Sequence, residues 1–173
     1  MAEPQFTDAI ALLKADHRKV EDLFEKFEKV SSADRKQALV HEICTELKIH
    51  TLIEEEIFYP AFRGIIEDDT LDEAYVEHDG AKVLINDIEA GSPDDDFYEA
   101  KVKVLSEEIK HHVHEEEMPS EGMFAQCRKT DVDLVALRDL MKSRKEELLA
   151  EAQASGLPAA TPTTVRLLRL SLA

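Results

Sequence analysis

Apolar residues recur along this chain at alternating three- and four-residue steps, the period of an α-helix with one buried face. The first stripe, Ile10, Leu13, His17, Val20, Phe24 and Phe27, predicts a helix from about Asp8 to Val30 with a Thr7/Asp8 cap. Ser31 to Asp34 reads as a capping turn. A second helix then runs from about Asp34 to Arg63, with Ile43, Leu47, His50, Glu54, Ile57 and Ala61 on one face. Thr70 and Glu73 form a capping-box pattern ahead of a third helix carrying Leu71, Ala74, His78, Ala81, Ile85 and Ile88. Ser92 as cap and Pro93 at the first helical position predict the start of a fourth helix. Its stripe is Tyr98, Val102, Leu105, Ile109, His112 and Glu116, and a looser stretch around Pro119 to Gly122 ends it. A fifth segment, Asp131 to about Glu151, is amphipathic through Leu134, Leu137, Leu140 or Met141, and Leu148.

Short links between the first four helices favour antiparallel neighbours. The expected fold is therefore all-α, an up-down-up-down four-helix bundle over residues 1–130. An additional C-terminal helix over 131–151 would pack on or beside it. Residues 152–173, rich in Ala, Pro and Thr, read as a flexible tail. Val165 to Leu170 could add a short docking helix or strand.

The polar positions on these stripes carry the chemistry. Each of the four helices places one histidine on its core-facing side: His17, His50, His78 and His112. Two of them add a glutamate one turn later, Glu54 after His50 and Glu116 after His112, where i, i+4 spacing stacks both side chains on one face. Burying so many titratable groups costs several kcal/mol each unless something compensates, and a pair of multivalent cations compensates directly. Imidazoles would be terminal ligands, and a carboxylate can bridge two ions. The heights agree: His17 lies roughly 20 Å before the first turn and His50 roughly 24 Å after it, at a rise of ~1.5 Å per residue. The fourth helix offers an overlapping pair, His111/Glu115, but its stripe points to His112/Glu116. His41 lies off its stripe, His111 and His114 read as surface neighbours, and Glu21 as a charged flank.

Composition narrows the partners. The 173 residues make one domain by length, with 43% hydrophobic and 34% charged residues, five glycines and no tryptophan. A net charge of −17 repels nucleic-acid phosphates and anionic membranes and favours cations. Cys44 and Cys127 form no C-x-x-C pair and read as buried, inert thiols. The chain opens with no basic, apolar leader, and no apolar run approaches the ~20 residues that span a bilayer. A cytoplasmic protein is expected. Nothing in the sequence fixes an oligomeric state.

The order His…His-x-x-x-Glu…His…His-x-x-x-Glu resembles the hemerythrin-like, HHE cation-binding domains, over roughly residues 8 to 127. Local phrases carry the same resemblance: Asp16-His17-Arg18-Lys19-Val20, Glu54-Glu55-Glu56-Ile57-Phe58-Tyr59-Pro60, Glu77-His78-Asp79 and Lys110 to Glu117. The fourth helix departs after its motif, where Met118 to Phe124 looks like a small insertion. The resemblance implies an oxo- or hydroxo-bridged non-haem di-iron centre, two iron ions held by His17, His50, His78 and His112 and bridged by Glu54 and Glu116. It also implies a small diatomic ligand or peroxide as partner, in sensing, storage or detoxification. Iron storage, delivery or centre repair without turnover is the alternative. Oxygen carriers of the family place a second histidine one turn from the first on the third helix. Here those positions are Ala74 and Lys82, which leaves more of the coordination sphere open, and Tyr75 lies beside that gap.

Overall fold

Asp8 starts the first helix by accepting a hydrogen bond from the Ala11 amide at 2.9 Å, and Arg128 pairs with the same carboxylate at 2.9 Å. The computed structural model describes residues 6–166. Helix α1 runs Ala9–Lys29 and α2 runs Ala33–Ile53. A π turn, Glu54–Phe58, joins α2 to the single turn of α3, Tyr59–Phe62. After a short turn come α4, Asp68–Glu89, and α5, Tyr98–Glu117. Then follow the one-turn α6, Met123–Cys127, and α7, Leu134–Ser155, capped by Asp133 through the Val135 and Ala136 amides.

Helices α1, α2, α4 and α5 close a ring in which each packs on two neighbours: α1 on α2, α2 on α4, α4 on α5, and α5 on α1. This is the expected four-helix bundle with an extra helix, since α7 lies against α1, α2 and the π turn. No helix among the described residues is long and apolar enough to cross a membrane.

Several boundaries differ from the sequence reading. Thr70 is inside α4 rather than at its cap: the helix begins at Asp68, where Asp68 and Asp69 favour the positive end of the helix dipole. Ser92 and Pro93 do not open α5 either. Ser92 and Asp95 satisfy each other's backbone in a tight turn, and α5 starts only after Phe97, whose φ of 67° breaks the chain direction. On α7 the inward residue is Met141, while Leu140 is exposed. Residues 157–165, assigned by composition to the tail, lie hydrogen-bonded against α4 and the π turn. Most of the Val165 to Leu170 segment lies outside the described residues.

The largest departure is the π turn in the second helix. Pro60 has no N–H, and its ring would clash with the Glu56 carbonyl in a regular α-helix. Widening the turn by one residue lets the Tyr59 amide bond Glu54 O instead. Phe58, Tyr59 and Phe62 all become buried as a result.

The core consists of two apolar clusters with a polar layer between them. One contains Ile10, Leu13, Ile53, Phe58, Phe62, Leu71, Phe124 and Met141. The other contains Val20, Phe24, Ile43, Leu47, Ile85, Val102, Leu105 and Ile109. His17, His50, Glu54, His78, His112 and Glu116 fall between the two, and every one is buried. Cys44 and Cys127 are also buried, and burial, the main cause, pushes both thiols up to about 12. They are inert packing groups at neutral pH.

Candidate metal centre

The six residues named from the sequence meet at one level of the bundle. The Nε2 atoms of His17 and His50 lie 3.1 Å apart, and those of His78 and His112 lie 3.2 Å apart. Glu54 stands between the pairs, with Oε2 at 3.2 Å from both His50 Nε2 and His78 Nε2. Glu116 reaches His17 Nε2 at 3.3 Å with Oε2 and His112 Nε2 at 3.6 Å with Oε1. One group of ligand-type atoms joins His17, His50, Glu54 and Glu116, and a second joins Glu54, His78 and His112. His111 and Glu115, the overlapping pair, lie at the surface beside Glu77. His41 and His114 are exposed.

Three outer carboxylates hydrogen-bond the rings so that Nε2 points inward, and a fourth faces the remaining ring. His17 Nδ1 meets Glu117 at 2.7 Å, His78 Nδ1 meets Glu55 at 2.9 Å, and His112 Nδ1 meets Glu77 at 2.6 Å. His50 Nδ1 faces Asp16 at the longer distance of 3.6 Å. These supports run round the ring. Asp16 of α1 faces the histidine of α2, and Glu55 of the π turn faces that of α4. Glu77 of α4 then faces the histidine of α5, and Glu117 of α5 faces that of α1. Three of the four carboxylates are backed by a cation: Lys145 holds Asp16, Arg18 holds Glu117 at 2.8 Å, and Lys82 holds Glu55 at 2.7 Å. Glu77 meets the exposed His111 instead, at 3.4 Å.

The sequence does carry a signal for these supports, because each sits next to a layer residue: Asp16-His17, Glu54-Glu55, Glu77-His78 and Glu116-Glu117. The partner, however, is on the next helix and appears only in three dimensions. Such outer carboxylates fix the tautomer and raise the basicity of a ligating imidazole. Asp16→Asn is therefore expected to weaken metal binding by up to roughly 10- to 100-fold, and Lys145→Met, one contact further out, by less. Competition against a chelator of known affinity measures this.

Tyr59 is the layer residue that sequence reasoning missed. Its hydroxyl donates to Glu116 Oε1 at 2.9 Å, reaches Glu54 Oε2 at 3.2 Å and lies 3.2 Å from His78 Nε2. Burial, aided by the two carboxylates, raises its pKa well above the ordinary value, so the phenol keeps its proton. Tyr75, expected beside the gap on the third helix, instead bonds Glu55 O at 3.4 Å and packs its ring on Tyr59. The signal for Tyr59 was Pro60, which forces the π turn that brings residue i+5 under Glu54.

The layer demands positive charge. Burial opposes the charged form of His50, but Glu54 and Asp16 raise its pKa to about 10. Burial likewise opposes His78, and Glu54 and Glu55 raise it to about 9. Burial works to raise the Glu54 carboxyl, yet His50 and His78 hold it well below the carboxylate range. Glu54 Oε1 and Glu116 Oε2 are buried with no hydrogen-bond partner. Orphaned buried acceptors among convergent imidazoles fit a bound cation.

A buried His/Glu layer across a four-helix ring defines a cation-binding bundle. The sequence profile of the hemerythrin HHE cation binding domain matches residues 8–124, and the chain belongs to that family. A solved HHE cation-binding domain protein from Mycobacterium kansasii shares the fold, with a TM-score of 0.71 and 22% identity over 90% of this chain and 98% of its own. A Nostoc protein described as a DNA nickase is 29% identical over 106 residues, 61% of this chain. The chain spans only 30% of that relative's length.

Proposed function

We propose that this chain is a non-haem di-iron protein that binds or reacts with a small ligand, O2, nitric oxide or peroxide, in sensing, storage or detoxification. In this reading His17, His50, Glu54 and Glu116 hold one ion and Glu54, His78 and His112 hold the other. The observation that carries it is the convergence of four buried Nε2 atoms on two carboxylates that have orphaned oxygens. Mixed imidazole and carboxylate donors suit iron. Bound iron supplies a reversible change of oxidation state and coordination positions open to an outside ligand.

The chain's own residues limit what can enter. A crevice of about 20 Å³ between α4 and α5, lined by Ala74, Glu77, His112, Glu116 and Met123, reaches the layer. That is little more than the room one water molecule needs, which favours a diatomic molecule or peroxide over an organic substrate. Ala74, one of the two positions one turn from His78 where an oxygen carrier's second histidine would fall, stands on its wall. Tyr59 keeps its phenol proton in hydrogen bonds to Glu116 and Glu54 and so fixes both carboxylates of the layer. Nicking of DNA is not carried over from the Nostoc relative, because a net charge of −17 repels a phosphate backbone.

The test is to load the protein with ferrous iron without oxygen, then add O2, nitric oxide or peroxide in turn. A near-ultraviolet band that forms with at least one of them, and shifts with azide, is the expected result. If none changes the spectrum while iron passes to an apo-acceptor, storage or delivery is the function instead.

A further inference from the structure

Two of the supports behind the histidines come from beyond the stretch that defines the family. Lys145 of α7 is one. The other is the segment after α7. Gly156, at φ +77°, turns the chain, and residues 157–165 run as an extended strap over α4. Asn86 exchanges both amide hydrogen bonds with the Ala160 backbone, each 2.8 Å long. The fully buried Asp79 accepts the Thr163 amide at 2.7 Å, the Val165 amide at 2.8 Å and the Thr164 hydroxyl at 2.7 Å. Pro158 and Pro162 restrict the segment's backbone and so lower the entropy lost on docking.

Little of this attachment is apolar: Thr163, Thr164 and Val165 stay exposed while their polar groups point inward. The inward groups end on the metal layer's supports. The Thr163 hydroxyl donates to Glu55 Oε2 at 2.7 Å. Lys82 bonds both Glu55 oxygens, at 2.7 and 2.9 Å, and reaches Thr163 Oγ1 at 3.2 Å. Glu55 Oε1, fixed in this way, meets His78 Nδ1 at 2.9 Å. A continuous chain of bonds therefore runs from the strap through Glu55 to the outer nitrogen of the His78 imidazole.

We propose that the strap is the outer wall of one half of the metal centre, and that Thr163 is a positioning residue. Acting through Glu55, it fixes the His78 ring and sets how tightly the Glu54/His78/His112 half holds its ion. This rests on the reading of the six layer residues as metal ligands. The His17/His50 half depends on Glu117 with Arg18 and on Asp16 with Lys145 instead. The two ions of one chain are thus held by independently adjustable supports.

The experiment uses the full chain, loaded with two equivalents of ferrous iron without oxygen and challenged with excess chelator. Thr163→Val is expected to release one equivalent several-fold faster, less than the roughly 10- to 100-fold loss on removing a carboxylate that touches a ligating histidine, with the other equivalent unchanged. Asn86→Ala, which unfastens the strap far from any ligand, should do the same and should speed hydrogen exchange at the Thr163 to Val165 amides. Thr163→Ser should restore the original rate. Lys145→Met should instead hasten the other equivalent. Unaltered release in both Thr163→Val and Asn86→Ala, from a chain that still binds two ions, overturns the proposal and leaves the metal reading intact. Failure of the unsubstituted chain to bind two ions overturns both.

Discussion

Glu54→Ala is expected to remove both metal ions rather than one. Glu54 is the residue common to the two ligand groups, and its Oε2 lies 3.2 Å from a histidine of each pair. It is fully buried at the start of the π turn, while Glu116 keeps its own place between His17 and His112. The loss of affinity should exceed the roughly 100-fold limit of outer-support substitutions. Glu54→Gln keeps the side-chain shape but lacks the charge to bridge two cations, and it should fail nearly as badly. His78→Ala should cost one ion and leave the His17/His50 half occupied. Metal analysis after gel filtration distinguishes the cases: one retained ion in Glu54→Ala would mean that the carboxylate does not bridge.

Metal-free and metal-loaded protein should respond to pH in opposite directions. Without metal, protons supply the layer's positive charge. The folded pKa of His50 is about 10 and that of His78 about 9, both above the unfolded value of 6.5. Their contribution to stability is complete below pH 6.5 and is lost as pH climbs through 9 and 10, at ~1.4 kcal/mol per pKa unit. The depressed Glu54 carboxyl sets the acid limit: its contribution is present above pH 4.5 and fades as pH falls below that. The metal-free chain should thus melt highest near pH 5 to 6 and lose on the order of several kcal/mol by pH 10. Loaded protein needs the same imidazoles unprotonated, so acid strips its metal and stability rises toward neutral pH. Melting curves of both forms should converge toward pH 5, where the metal is stripped, and diverge as pH rises to 10. Parallel curves would mean that the histidines do not exchange protons for metal.

The sequence exposed the layer because the helical period is strict where the histidines sit. His17, His50, His78 and His112 each replace an apolar residue in an otherwise continuous stripe, and the stripe alone fixes the direction in which they point. The same argument separates His112 from His111, which is one residue away and exposed. Helix starts were less legible, since Thr70 and Ser92 have cap chemistry but the surrounding turns use other residues. Tyr59 was hidden by a change of period: a π turn breaks the i, i+4 rule used to read faces, and only Pro60 announced it. The outer carboxylates were visible as acidic neighbours of the layer residues, but each serves the next helix, and pairing between helices leaves no trace in spacing. The strap was unreadable for a similar reason. Its composition suits a tail, and what fastens it is Asp79, Asn86 and Glu55, more than 70 residues away.

The most direct test of the central claim is an anaerobic titration of metal-free protein with ferrous iron, following bound iron per chain together with protons released into a weakly buffered solution. The account predicts saturation at two irons per chain with proton release on binding, because His50 and His78 carry protons at neutral pH when no metal is present. Saturation with no proton release, or no uptake that depends on His50 and His112, would contradict it.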